Sequence, residues 1–150
     1  QREIEISSNK PSPDELPLAH KYYDLHKANR DDEIPYEGMM LTTVVAEAGR
    51  MVRLANGPEA FDMTVSGLAI GPVAFVGFPG EPFTGIGRGV KENPNFELVM
   101  HTCLTNGNEG YFPMEDAYKE GGYEARSSRF KAGVAELIIA EGKAMLSSLR

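Results

Sequence analysis

A short apolar run at residues 73–78 ends abruptly in the sequence Pro79-Gly80-Glu81-Pro82. Proline lacks a backbone N–H and fixes φ, so a strand that reaches this sequence cannot continue through it. The run therefore predicts a buried β-strand that delivers Glu81 to the edge of a sheet. In α/β folds, such edges are common places for active sites.

The segment before this strand has a second strand pattern. Residues 61–70 alternate apolar and polar side chains, and Gly71-Pro72 is a turn signal, so the two segments predict a β-hairpin. Elsewhere, apolar residues recur at strand or helical spacing. These patterns predict strands at residues 2–8 and 96–104 and helices at residues 15–29, 36–56, 84–90 and 130–149. We therefore expect an α/β fold, with helices layered on a mixed β-sheet.

Composition limits the class of protein. A chain of 150 residues with 41% apolar content suits a single domain. Its formal charge of -7 argues against a nucleic-acid partner, because phosphate binding requires a basic surface. No apolar run approaches the roughly 20 residues of a membrane-spanning helix, so no transmembrane segment is expected. The lone Cys103 excludes an intrachain disulfide, leaves the compartment open and is predicted to be a buried small apolar residue.

Several side chains are candidates for chemistry, and each also has a structural interpretation. Glu81 could stabilise the N-terminus of a helix that begins at Thr84, an effect of about 0.3 to 1 kcal/mol. Tyr111 could be a packed loop residue, because a phenol with a pKa of about 10 is a poor metal ligand unless the cation lowers that pKa. Tyr118 is predicted to be structural. The histidines have no metal-binding spacing and are predicted to be surface or packed residues: His20, His26 and His101.

Residues 104–128 follow, without gaps, the pattern of a known family. In that pattern a strand ends in Thr-Asn, a tyrosine comes five residues after the Asn, and a second tyrosine comes twelve residues later. The matching positions are Thr105, Asn106, Tyr111, Tyr118, Tyr123, Glu124 and Ser127. An upstream motif, Pro-Ala-Glu-Phe-Thr followed by Gly-Arg, is matched with Gly80 in place of alanine and Pro82 inserted. Its matching positions are Glu81, Phe83, Thr84 and Arg88. On these residues the chain resembles the C-terminal part of the catalytic domain of the neutral/alkaline ceramidases.

The resemblance implies a function and a site. Members of this family are amidases that cleave N-acyl-sphingosines with a zinc ion, so an N-acylated, lipid-like substrate is implied. Glu81 and Tyr111 correspond to zinc ligands of the family. Tyr123 corresponds to a residue that donates a hydrogen bond to the oxygen that becomes negative in the tetrahedral intermediate. Gly122 and Ala125-Arg126 depart from the family's pattern, so the substrate pocket is expected to differ.

The remaining parts of the family's site lie before the glutamate motif. They are two histidine ligands, an arginine, and a zinc-bound water or a serine, the serine in the context Gly-Asp-Val-Ser-Pro-Asn; residues 1–80 contain no motif that matches them. We therefore expect residues 1–150 to be a single, partial ceramidase-like domain, the C-terminal portion of a larger α/β catalytic domain, with no separate immunoglobulin-like domain. Zinc is expected only together with the histidines of that upstream segment. The 150-residue chain alone is expected to be inactive.

A second interpretation belongs to a different functional class. The chain could be a non-catalytic binding or assembly domain, in which Glu81 and both tyrosines are packed loop residues and an open sheet edge binds a partner chain. Strands without their natural neighbours also predict self-association, as a homo-oligomer that pairs exposed sheet edges. The sequence leaves the true substrate open.

Overall fold

A computed structural model describes all 150 residues and shows a mixed α/β fold. In chain order its elements are β1 (Arg2–Ser7), α1 (Leu16–Lys27), α2 (Gly38–Ala55), β2 (Ala60–Ile70), β3 (Val73–Gly77), β4 (Glu81–Pro82), α3 (Thr84–Lys91), β5 (Leu98–Thr102), β6 (Tyr111–Phe112), α4 (Glu115–Glu120), α5 (Tyr123–Ser127) and α6 (Val134–Ser148). A single 3-10 turn, Asp31–Glu33, follows α1.

The strands form two sheets. The larger sheet has the order β1-β2-β3-β5, in which β1 pairs antiparallel with β2, β2 antiparallel with β3, and β3 parallel with β5. The β2–β3 pair is the predicted hairpin, with its turn at Gly71-Pro72. The smaller sheet consists of β4 and β6, which run parallel. The smaller sheet continues from the exit of β3, so the strand that the sequence predicts does deliver Glu81 to a sheet edge.

The main core lies on one face of the larger sheet. Helix α6 packs on β1, β2 and β3, and α3 packs on β5 and α6. Alternate residues of the strands point towards these helices, as the period of two requires. The fully buried side chains of this core include Val65, Val76, Ile86, Phe112, Phe130, Ile138 and Leu146. The core therefore fixes the exit of β3 and the start of α3, between which Glu81 lies.

Helices α1 and α2 form a hairpin with its own small core. The buried residues of this core are Ala19, Tyr22, Ile34, Val44, Ala48 and Met51. The side chain of Arg50, on α2, connects the hairpin to the rest of the molecule and is only 6% exposed. Its guanidinium donates hydrogen bonds to the backbone carbonyls of Arg126 and Asn9. Separating α2 from α5 would leave the buried guanidinium without its hydrogen-bond partners, which is costly for a buried charge. Arg50 therefore fixes α2 against α5.

The second face of the larger sheet is not covered by any helix of the chain. Register places Leu68, Phe75 and Met100 in one row across β2, β3 and β5, and Ile70, Val73 and Leu98 in a second row. We call these six side chains the open face. Four of its members are strongly exposed: Leu68 at 56%, Ile70 at 65%, Leu98 at 51% and Met100 at 44%.

Three details differ from the sequence prediction. The C-terminal helix begins at Val134, not at residue 130, because Phe130 has an extended backbone that forms an isolated bridge with Ser8. The strand predicted at residues 96–104 is shorter, Leu98–Thr102. The prediction that Cys103 is buried is wrong: it is exposed, because it follows the end of β5 and lies outside the core. No helix in the structure has both the length and the apolar character needed to cross a membrane.

Candidate active site

Glu81 and Tyr111 are direct neighbours across the smaller sheet. They are Cα partners in the parallel pair β4–β6, and the Glu81 N–H donates a hydrogen bond of 2.8 Å to the Gly110 carbonyl. A Cβ at Gly80 would lie 2.5 Å from both the Gly110 oxygen and the Phe112 ring. The absence of a side chain at Gly80 is therefore what allows these two strands to approach so closely.

Tyr123 joins this pair from the first turn of α5. Its ring meets the Tyr111 ring edge to face, with ring centroids 6.1 Å apart and an interplanar angle of 78°. Gly122, immediately before it, has φ of 97°, a conformation that a residue with a side chain rarely adopts. The basic residue that the family often has at this position would be strained here. This backbone geometry sets the point from which the Tyr123 side chain projects.

A buried hydroxyl holds the Tyr111 backbone in position. Ser128 is only 2% exposed, and its Oγ donates a hydrogen bond of 2.9 Å to the Tyr111 carbonyl. The same Oγ accepts a hydrogen bond of 3.2 Å from the Phe130 N–H. The Tyr118 hydroxyl donates to the Phe130 carbonyl at 2.6 Å, which gives Tyr118 the structural contacts that the sequence predicts for it. Tyr111 is thus fixed by a network that does not involve its own hydroxyl.

The phenol of Tyr111 is held in its neutral form. Its pKa is raised above the ordinary value, first by burial and then by the negative charge of Glu81, with smaller effects of Tyr123 and Glu124. A cation placed between Glu81 and Tyr111 would have the opposite effect, because it would attract both oxygens and favour the phenolate. The pair is therefore a place where a bound cation and the protonation state of Tyr111 are coupled.

Two clefts of opposite charge meet at Tyr111. One, which we call the acidic cleft, has a volume of about 460 Å³ and contains no basic side chain. The acidic side chains that line it are Glu81, Asp116, Glu120 and Glu124. The other, which we call the basic cleft, has a volume of about 700 Å³ and is lined by both Tyr111 and Tyr123. Its Lys and Arg residues are Lys27, Arg50, Arg53 and Arg129, and Glu109 is its only acidic residue.

The side chains present do not form a metal site on their own. Nowhere in the structure do three or more His, Cys, Asp or Glu side chains come close enough together to hold a metal ion. Glu81 and Tyr111 offer two oxygen donors, whereas catalytic zinc sites have three protein ligands and structural sites have four. No histidine lines the acidic cleft, and His26, which lines the basic cleft, is paired with Asp31 at 2.9 Å. The chain by itself thus fits at most half of a zinc shell.

The structure brings together all three residues that the resemblance implicates, although they are far apart in the sequence. Their roles as zinc ligands and hydrogen-bond donor remain predictions. The sequence analysis does not identify the basic cleft. The sequence feature that could have indicated this cleft is the pair Arg50 and Arg53, about one turn apart on α2. The rest of the cleft is lined by residues that are distant in the sequence, around Tyr111 and Arg129.

Comparisons with known proteins give one partial similarity. No protein-family model matches the chain, and no curated protein matches it. Among solved structures, the neutral ceramidase from Pseudomonas aeruginosa is similar with a TM-score of 0.46 and 20% sequence identity. The match covers 61% of this chain and 16% of the ceramidase chain. The chain therefore spans less than a fifth of the length of that protein.

Proposed function

We propose that this chain forms part of the active site of a zinc-dependent amide hydrolase that resembles the neutral ceramidases and cleaves an N-acylated, lipid-like substrate. The observation that carries the proposal is the juxtaposition of Glu81, Tyr111 and Tyr123. These residues come from β4, β6 and α5. The two sequence motifs described above point to the same three residues without any use of the structure.

In this proposal, Glu81 and Tyr111 supply two oxygen ligands to zinc, which accepts carboxylate oxygens at roughly 2.0 to 2.2 Å. The acidic cleft favours a cation beside Glu81, since the four carboxylates that line it have no basic partner within the cleft. The other two ligands are histidines that these 150 residues do not supply, so they belong to a longer protein. When bound, the metal would polarise a carbonyl oxygen or activate a water molecule.

The reaction is hydrolysis of an amide. Water adds to the carbonyl carbon, the C–N bond breaks, and both protons of the water pass to the departing amine, which leaves a carboxylate and an ammonium group. Negative charge develops on the carbonyl oxygen as water adds. The Tyr123 hydroxyl, a hydrogen-bond donor in its neutral form, is assigned to this oxygen, where a donor that acts mainly in the transition state raises kcat.

Metal analysis of the longer protein tests the proposal. Wild-type protein is expected to contain one zinc ion per chain, and Glu81→Gln is expected to lose it, because an amide is a much weaker zinc ligand than a carboxylate. Glu120→Gln is the matched control, since Glu120 lines the same cleft and is exposed. Equal zinc content in wild type and Glu81→Gln would contradict the ligand assignment.

A second candidate, assembly without catalysis, is favoured by the open face. Contiguous exposed apolar surface of this kind often marks a protein interface. We propose a second copy of this chain as the occupant, because two apolar rows can pair with the same rows of a second copy about a two-fold axis, and sheets pack face to face about 10 Å apart. The β1 edge, by contrast, carries exposed charges at Arg2, Glu3 and Glu5, which oppose edge pairing there.

Sedimentation velocity tests this candidate. Wild type is expected to form a dimer, and Leu68→Lys is expected to make it monomeric by placing a charge in the open face. Leu68 is on β2, an interior strand, so the substitution leaves pairing through the sheet edges intact. A dimer that persists in Leu68→Lys would favour the edge pairing that the sequence predicts. A wild-type monomer at all concentrations would contradict both modes of assembly.

A further inference from the structure

The basic cleft is unusual for this chain. The protein as a whole has a formal charge of -7, yet the cleft contains four Lys and Arg residues and a single carboxylate. The acidic cleft shares the lining residue Tyr111 with it. A site for zinc and an amide carbonyl does not need this concentration of positive charge beside it, so the basic cleft requires a separate explanation.

Two of the four basic residues have no acidic partner. Arg129 pairs with Glu109 at 2.8 Å, and Arg50 pairs with Glu47 at 4.0 Å and also donates to backbone carbonyls. Lys27 and Arg53, by contrast, take part in no ion pair in the structure, which makes them the cations available to a ligand.

The position of Arg53 depends on a glycine one turn earlier on α2. A Cβ at Gly49 would lie 2.9 Å from Arg53 Nη1 and 3.4 Å from the Tyr23 ring. The absence of that Cβ lets the guanidinium fold back along α2, where it lies in the wall of the cleft next to Tyr23. A guanidinium presents paired N–H donors in a planar fork that matches a carboxylate or a phosphate.

The cleft also has an apolar lining. Val45, Leu54 and Phe61 line it together with the basic residues, and Tyr111 and Tyr123 line it at the candidate active site. A cavity of about 700 Å³ is within the range of small-molecule sites. A ligand that complements this surface has an apolar part and an oxyanion.

We propose that the basic cleft binds the anionic group of the substrate, with Arg53 and Lys27 as its main contacts, so that the substrate is an N-acylated compound whose amine portion carries an oxyanion. The basic and apolar residues that line the cleft are sufficient, without any assumption about catalysis, to argue for binding of an amphiphilic anion. The assignment of that anion to the amine portion of an amidase substrate rests on the function proposed above. Tyr23 and the apolar wall contact the hydrocarbon, and the amide lies towards Tyr111 and Tyr123.

Binding measurements on the chain in the presence of a metal chelator test this proposal separately from zinc chemistry. The probes are N-octanoylglycine, its phosphate counterpart N-octanoylethanolamine phosphate, neutral N-octanoylethanolamine and octanoate. At least one charged amide is expected to bind about tenfold more tightly than the neutral amide, the size of effect that a hydrogen bond to a charged group provides. The tighter of the two identifies the oxyanion.

Arg53→Gln is expected to remove most of this preference. Gly49→Ala, which leaves the charge unchanged and displaces the guanidinium, is expected to weaken it in the same direction. Lys131→Gln, at an exposed position outside the cleft, makes the same charge change as a control and is expected to have no effect. Circular dichroism confirms that each variant is folded.

Three results would overturn the proposal. Equal affinity for the charged and neutral amides, or equal effects of Arg53→Gln and Lys131→Gln, would show that the cleft does not recognise an anion. Octanoate binding as tightly as the charged amides, with the same dependence on Arg53, would show that the cleft holds the carboxylate of the released acid and not an anion of the amine portion. Because no metal is present, none of these results bears on whether Glu81 is a zinc ligand.

Discussion

Glu81 and Tyr111 lie opposite each other in a two-residue parallel pairing, and the Glu81 N–H is bonded to the carbonyl of Gly110. The pairing sets the distance between a carboxylate and a phenol by backbone hydrogen bonds, not by contacts between the two side chains. Each side chain is therefore free to bind something else. The geometry explains why the charge of Glu81 raises the pKa of Tyr111 although no hydrogen bond joins them.

The titration of Tyr111 is expected to depend on Glu81. Burial and the charge of Glu81 raise the pKa of Tyr111, so the folded protein holds this proton more tightly than the unfolded chain. Its contribution to the free energy of unfolding is then complete below pH of about 10 and is lost as the pH rises through the raised pKa. Glu81→Gln is expected to lower the pKa of Tyr111 while burial still keeps it raised.

Ultraviolet difference titration measures this effect, with Tyr111→Phe identifying the contribution of Tyr111 to the spectrum. Glu97→Gln provides a control at an exposed acidic residue outside both clefts. An unchanged Tyr111 titration in Glu81→Gln would mean that the two groups do not interact, which would remove the electrostatic basis for a cation between them.

Tyr123→Phe is expected to separate binding from catalysis in a protein that also carries the two histidine ligands that the proposed function requires. The substitution keeps the ring that packs on Tyr111 and removes only the hydroxyl. If that hydroxyl stabilises the developing negative charge, kcat falls by roughly 10² to 10³ and KM changes little. Steady-state kinetics on an N-acyl substrate provide the measurement. Wild-type turnover in this variant would leave Tyr123 with a packing role alone.

Ser128 and Ser127 form a matched pair for testing how Tyr111 is positioned. Ser128 is buried and bonds to both Tyr111 and Phe130, whereas Ser127 makes one long hydrogen bond of 3.4 Å to Glu124. Ser128→Ala is expected to cost about 1 to 3 kcal/mol of unfolding free energy, because it leaves buried backbone groups unpaired. Ser127→Ala is expected to be nearly neutral. Denaturant unfolding of both variants gives the comparison, and equal costs would contradict the positioning role of Ser128.

The longer elements were predictable because their patterns repeat over many residues. Helix α2 buries one apolar stripe, and β2 and β3 are divided by the Gly71-Pro72 turn. Their bounds agree with the sequence to within a few residues. The two-residue strands β4 and β6 have no period to detect. Only the family motif pointed to Tyr111, whereas Glu81 was also indicated by the Pro-Gly-Glu-Pro sequence that ends the apolar run before it.

Features created by long-range packing were not predictable from local pattern. The basic cleft exists because α2 packs on α5 through Arg50, which brings Arg53 opposite Arg129 and the tyrosines. Strands β2 and β3 carry apolar residues on both faces, as strands that are buried on both sides do, and their sequences do not say which face a helix will cover. Cys103 was predicted to be buried but is exposed, because a small apolar residue at the end of a strand can lie beyond the core.

The central claim is that Glu81 and Tyr111 form half of a metal shell, and nuclear magnetic resonance of the chain titrated with Co²⁺ tests it most directly. Co²⁺ can replace zinc in tetrahedral sites, and its paramagnetism reveals binding that is too weak to survive purification. At substoichiometric Co²⁺, signals of Glu81 and of the Tyr111 ring are expected to broaden first, while those of Tyr22 and Tyr36 on the helical hairpin stay sharp. Glu81→Gln is expected to abolish this selectivity, and Glu120→Gln to preserve it. Broadening that spreads equally over the acidic cleft, or that is unchanged in Glu81→Gln, would contradict the claim.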